Sequence, residues 1–231
     1  MSMLLTKKKK TFNEVKTMNK KKELERRSYN FEIRAESDEG GNIITGRPIV
    51  YNSRTDMGYF DEIIEFGALD TTNLNDVRFL VNHDTLMIPL ARSRRNNGNS
   101  TMKLSVDMQG MSIDFIKLDT ENNTTARALY SAVERGDITG MSFMFSIDDE
   151  EWQDLESDHP TRRIKKIGSV VEISAVTFPA YEATEIYARS KEALDNARSA
   201  LENARQRNAQ SVDTDNNELS LLKEKTKLLT M

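Results

Sequence analysis

Short runs of alternating apolar and polar residues through the middle of this 231-residue chain predict an α+β fold made mostly of antiparallel strands, closed as a β-barrel or stacked as a sandwich. Two further observations support that class. Only one internal segment, 124–135, has helical spacing, and from about residue 182 the sequence turns into charged, leucine-spaced helix. The organisation that follows is a basic leader over 1–27, one domain over 28–190, and a helical and polar tail over 191–231.

The elements follow in order. Tyr29 to Ala35 alternates as a half-buried strand, and the Gly40-Gly41-Asn42 turn leads to a second run from Ile43 to Tyr51. Pro48 lacks a backbone donor and marks that second run as an edge or bulged strand. Phe60 to Leu69 mixes apolar and acidic positions and reads as the start of a short helix, whereas Val77 to Val81 reads as a buried strand ending near His83. Arg92 to Ser100 has a loop's composition. Met102–Val106 and Met111–Phe115 form a hairpin around Gln109-Gly110. Ala126, Leu129, Tyr130 and Val133 then fall on one helical face, ended by Gly136. Strand character returns in Met141–Ile147, Arg162–Ile167 and Val170–Phe178, where Pro179 stops the last run. In the tail, Leu194, Ala197, Leu201 and Ala204 make a short apolar seam, suited equally to docking on the domain or to a coiled coil. Glu218 to Leu229 reads as a short terminal helix or binding tag.

Composition narrows the chemistry. The chain has no cysteine and two histidines, which removes disulfides and thiolate catalysis and fits a reducing cytoplasm. No run approaches the about 18 apolar residues of a membrane span, and the lysine-rich start lacks the apolar stretch of a secretory signal. The net charge of −4 hides an asymmetry: residues 1–27 hold ten Lys/Arg against three glutamates, or +7, leaving −11 for the remainder. Such an arm suits nucleic acid or an acidic partner, but no aromatic platform accompanies it, so it reads as a solvated leader. No cofactor motif is present, neither a phosphate loop nor a dinucleotide fingerprint, and no spacing resembles a metal site.

The remaining chemistry is nucleophilic. A serine hydroxyl needs a base to take its proton, and histidine is the usual one near neutral pH. His83 closes one apolar run and Ser142 opens another, in Gly140-Met141-Ser142-Phe143-Met144-Phe145. Alternation places Phe143, Phe145 and Ile147 on one face of that run and Ser142, Met144 and Ser146 on the other. A third group must orient the imidazole. Glu172, inside the apolar run Val170–Val176, is the first candidate, because a buried carboxylate requires a partner. A structural salt bridge from Glu172 to Arg127 or Arg163 satisfies the same requirement. His159, in the charged loop Glu156–Pro160, reads as exposed.

At these residues the chain resembles the prohead (capsid maturation) proteases of tailed phages, serine peptidases distantly similar to herpesvirus assemblin. The resemblance rests on an ordered series: Ile44–Tyr51, Glu65-Phe66-Gly67-Ala68-Leu69, Leu80-Val81-Asn82-His83-Asp84 with Leu90-Ala91-Arg92, Gly140–Phe145, and Val171–Tyr181. It covers roughly residues 28–190. It implies an assemblin-like β-barrel ringed by helices, with His83 as general base, Ser142 as nucleophile and Glu172 as third member. Assemblin-like relatives use a second histidine there, which makes His159 the reserve. Backbone amides near residues 180–183 or an Arg162-Arg163 turn are the candidates for oxyanion donors.

The resemblance also implies the partners. These are the scaffold protein and the scaffold-like extension of the major capsid protein, cut inside the immature shell in the host cytoplasm, with the protease's own tails as further substrates. It admits a homodimer and calls for neither membrane nor nucleic acid. Two other readings use the same sequence: a capsid or scaffold component that keeps the fold without activity, and a nucleic-acid-binding assembly factor acting through the basic arm.

Overall fold

The computed structural model describes residues 24–29, 33–38, 41–177, 195–210, 222–223 and 225–226. Eleven strands run in chain order as β1 (Leu24–Tyr29), β2 (Ile33–Asp38), β3 (Gly41–Val50), β4 (Arg54–Asp56), β5 (Asp61–Ile64), β6 (Arg78–Val81), β7 (Ala91–Arg92), β8 (Met102–Asp107), β9 (Gly110–Lys117), β10 (Gly140–Gln153) and β11 (Thr161–Val176). Helix α1 spans Thr124–Glu134, and a second helix, α2, covers 195–210.

The strands form two open sheets, so the fold is α+β as expected but the described sheets do not close into a barrel. The first runs β1-β10-β11-β5-β4, with β6 also on β11 and β7 on β6; the second runs β2-β3-β9-β8. β11 is the organising strand of the larger sheet. Its antiparallel partner is β10, and on its other side β5 and β6 run parallel to successive halves of it. The other seven described strand pairings are antiparallel, as expected, and these two are the parallel exceptions.

β11 was expected as two strands separated at Gly168, yet it is one. A Cβ at position 168 would lie 2.1 Å from Asp148 Oδ1, so the glycine permits close approach of β10 rather than breaking the strand. The helix expected over Phe60–Leu69 is instead β5 followed by turns, one of them through Gly67 at φ +83°. Pairing of Asp61–Ile64 with Thr161–Ile164 overrides the weak local preference. β3 lies inside its sheet, and its register shifts between Ile44 and Gly46 and between Gly46 and Ile49 supply the irregularity that Pro48 signalled.

α1 begins where Asn123 accepts hydrogen bonds from the N–H groups of Thr125 and Ala126, and it buries Ala126, Leu129 and Val133. The core lies between the sheets. Phe79, Phe143, Phe145, Ile164, Ile167 and Ile173 from the large sheet meet Ile44, Ile49, Met111 and Ile116 from the small one. The short seam of the tail docks on the domain: Ala197 and Leu201 pack against Phe60, Met57, Trp152 and Leu155. Residues 24–27, which composition assigns to the leader, are the first part of β1.

β1 is tied down by charge. Arg27 and Arg162 are almost wholly buried and share the buried carboxylate of Glu62. Arg162 also binds Glu25 through both terminal nitrogens, at 2.8 Å each, and Glu150 at 2.5 Å. Burial works against the charge on Glu25, but Arg27 and Arg162 outweigh it and hold the carboxyl down from its ordinary 4.5 to about 2. A depressed folded-state pKa contributes stability above the unfolded value, and that contribution is lost as pH falls toward the folded one. The amide protection of β1 is therefore expected to weaken as pH drops from 4.5 toward about 2, ahead of the β10–β11 ladder. Hydrogen exchange followed by NMR across that window checks this, and equal loss in both ladders would contradict it.

Candidate active site

Three adjacent strands build the site. Register sets Ser142 of β10 opposite Ser174 of β11 and Met144 opposite Glu172, so Ser142, Ser174 and Glu172 share one face. On the other side of β11, β6 pairs Leu80 with Ser174 and Val81 with Ala175, and the chain leaves β6 directly into Asn82 and His83. His83 is thereby brought over the face that carries both serines and the glutamate.

The turn that aims His83 is strained and held. Asn82 and His83 are consecutive non-glycine residues in the left-handed region, at φ 51° and 58°. Each costs about 1–2 kcal/mol for an L-residue, less for asparagine. Several hydrogen bonds, typically worth about 0.5–1.5 kcal/mol each, offset this. Asn82 N–H donates to the Ala175 carbonyl at 2.9 Å, and the Asn82 side chain exchanges bonds with Thr177, accepting from its N–H and donating to its Oγ1, both at 3.0 Å. His83 N–H donates to Ser174 Oγ at 3.0 Å.

The imidazole bridges the other two groups. His83 Nδ1 is hydrogen-bonded to Glu172 Oε1, and Nε2 lies 2.5 Å from Ser142 Oγ. A carboxylate that is ionised only accepts, so a proton shared with Glu172 in that form sits on Nδ1 and leaves Nε2 facing the hydroxyl. The second oxygen of Glu172 accepts from Ser174 Oγ–H at 2.7 Å. Ser174 thus clamps the backbone of His83 and the carboxylate of Glu172 at once. Ser142 is fully buried, Glu172 nearly so, and the His83 side chain is 12% exposed. Ser142 Oγ also lies 2.7 Å from the carbonyl oxygen of Arg27 on β1. The hydroxyl carries one proton for two acceptors: given to Nε2 it activates the oxygen, given to Arg27 it does not.

The structure therefore brings Ser142, His83 and Glu172 together. The alternative partners of Glu172 are engaged elsewhere: Arg163 binds Glu65 at 2.5 Å, and Arg127 donates to the carbonyls of Thr120 and Glu121. His159 is placed apart, 3.3 Å from Asp61 and 3.7 Å from Asp56, and does not touch His83 or Glu172. Asp56, Asp61 and His159 are close enough to share a cation, but Arg54 already binds Asp61 at 2.5 Å. Arg162 and Arg163 form no turn, since both lie within β11, paired with β10 and β5, and so supply no oxyanion donors. Residues 180–183, the other oxyanion candidates, lie outside the described residues.

Sequence reasoning missed Ser174, Asn82 and Arg27. Ser174 was reachable, because it lies two residues from Glu172 in a strand and must share its face. Arg27 carried no local signal, since only the pairing of β1 with β10 brings its carbonyl to Ser142. Replacing Ser174 with alanine leaves a buried carboxylate oxygen without its donor, so Ser174→Ala is expected to destabilise the fold by about 1–3 kcal/mol. Urea unfolding measures this, and a neutral effect would mean the clamp contributes nothing.

Comparison with protein families gives a match: the sequence model of the Caudovirus prohead serine protease family aligns with residues 29–198. Comparison with curated proteins and with solved structures finds no match. The aligned segment is more than half of the chain and contains Ser142, His83 and Glu172. The chain belongs to the Caudovirus prohead serine protease family.

Proposed function

We propose that this protein is the serine endopeptidase of prohead maturation, with Ser142 as nucleophile, His83 as general base and Glu172 as the carboxylate that orients the imidazole. The observation that carries this reading is the unbroken run from Ser142 Oγ through both ring nitrogens of His83 to Glu172. In the chemistry this permits, Ser142 Oγ attacks the carbonyl carbon of a peptide bond while its proton passes to His83 Nε2. The imidazolium formed is stabilised by Glu172 and delivers that proton to the departing amine. Water then attacks the acyl-enzyme, again with His83 as base, returning Ser142 and releasing a carboxylate. Ser174 and Asn82 act as positioning residues, holding Glu172 and the His83 backbone through both steps.

The substrates in this reading are the scaffold protein and the scaffold-like extension of the major capsid protein, cut inside the immature shell in the host cytoplasm. The family supports that setting. The domain over 28–190 carries the chemistry. The segments on either side of it are self-cleavage candidates, and α2 is a surface element able to dock the enzyme in the shell. No step calls for a metal or cofactor.

Co-expression with the capsid precursor tests the assignment. Ser142→Ala and His83→Ala are each expected to lower precursor cleavage by about 10⁶, since members of one catalytic unit fail together. Glu172→Gln keeps the shape but disturbs the histidine tautomer, with an expected loss of about 10⁴. Near wild-type processing by either the serine or the histidine variant would refute the assignment.

A further inference from the structure

Ser142 is 0% exposed, although a nucleophile that cuts another chain must be reached by it. The backbone present at its Oγ is that of β1. The Arg27 carbonyl oxygen lies 2.7 Å away, and the register sets residue 28 directly opposite Ser142. β1 is also the outermost strand on that side of the sheet among the described residues, so it takes the edge of β10 to which an extended peptide could add. Residues 24–28 precede the segment that aligns with the family, which begins at residue 29.

We propose that β1 is an internal strap, occupying the place of the substrate strand at Ser142 and keeping the site closed until it leaves the edge of β10. This rests on Ser142 being the nucleophile. The strap acts in two ways. It bars a second chain from bringing its carbonyl within the about 3–3.5 Å needed for attack. It also offers the Ser142 proton an acceptor other than His83, and a hydroxyl that donates to Arg27 is not being deprotonated.

The way β1 is held suits release. Of its four described side chains, Leu24 is 47% exposed and Arg26 is exposed, while Glu25 and Arg27 are held by ion pairs, so none of these four is a buried apolar anchor. Glu25 and Arg27 leave as a balanced pair. Behind them Arg162 keeps both Glu62, at 3.3 Å, and Glu150, and Glu150 keeps Arg207, so each buried charge retains a partner.

The chain has no cysteine, so one engineered disulfide is unambiguous. Leu24 and Ser146 face each other across β1 and β10, and Leu24→Cys/Ser146→Cys in the full chain locks the strap when oxidised and frees it when reduced. The readout is the rate at which a fluorophosphonate probe modifies Ser142, followed by intact mass with Ser142→Ala as the unlabelled control. The reduced protein is expected to label at least about tenfold faster than the oxidised one, reflecting local opening of β1. Equal rates in the two forms overturn the strap and leave the serine assignment standing. No labelling in either form, together with precursor cleavage unaffected by Ser142→Ala, overturns the serine assignment and the strap with it. Glu62→Gln, which weakens the hold on Arg27 without a disulfide, gives a second test: it is expected to label faster than wild type, and an unchanged rate in the folded variant counts against the strap.

Discussion

The buried carboxylate of Glu172 is the constraint on which the site depends. A carboxylate in the middle of an apolar strand is costly unless its oxygens are met by donors. Here one oxygen meets the ring of His83 and the other the hydroxyl of Ser174. Because Ser174 also holds the His83 backbone, satisfying the carboxylate and placing the imidazole are one structural act. Ser142 then needs only to sit across the ladder from Ser174, which the β10–β11 register secures.

That register is in turn secured by packing. Phe143, Phe145 and Ile173 project from the opposite face into the core between the two sheets, so a slip of one residue would bury Ser142 among them and expose an aromatic ring. The parallel attachment of β6 is the less usual part. It delivers the chain end at Val81 onto the same side as Glu172, and the left-handed Asn82-His83 turn bends the imidazole back over β11. Backbone strain at a site is kept when the surroundings determine it, and the Asn82–Thr177 exchange and the Ser174 bond do so here.

Much of this was legible in the sequence, for identifiable reasons. The 102–117 hairpin and α1 follow from local period and from turn and cap residues, and the structure has both. Ser142, His83 and Glu172 were singled out by the scarcity of imidazoles, the buried carboxylate and the ordered motifs around them. What was not legible depended on pairing between distant segments. Asp61–Ile64 has no strand signal of its own and becomes β5 because β11 offers an edge, and Arg162–Ile167 and Val170–Phe178 read as two runs until the approach of Asp148 at Gly168 is known. The expected barrel fails in the described sheets for a related reason: closure is a property of how sheet edges meet, which periodicity within a strand does not encode. The covering of Ser142 by β1 is the longest-range feature of all, linking positions 27 and 142.

The central claim is that His83 holds its proton on Nδ1 for Glu172 and offers Nε2 to Ser142. Because the chain has two histidines, ¹⁵N-histidine NMR resolves them with His159 as the internal reference. In the neutral form of the ring, a single tautomer is expected for His83, protonated at Nδ1 with Nε2 as acceptor, and loss of that preference in Glu172→Gln. A His83 protonated at Nε2, or averaging freely between tautomers in the wild-type protein, would contradict it.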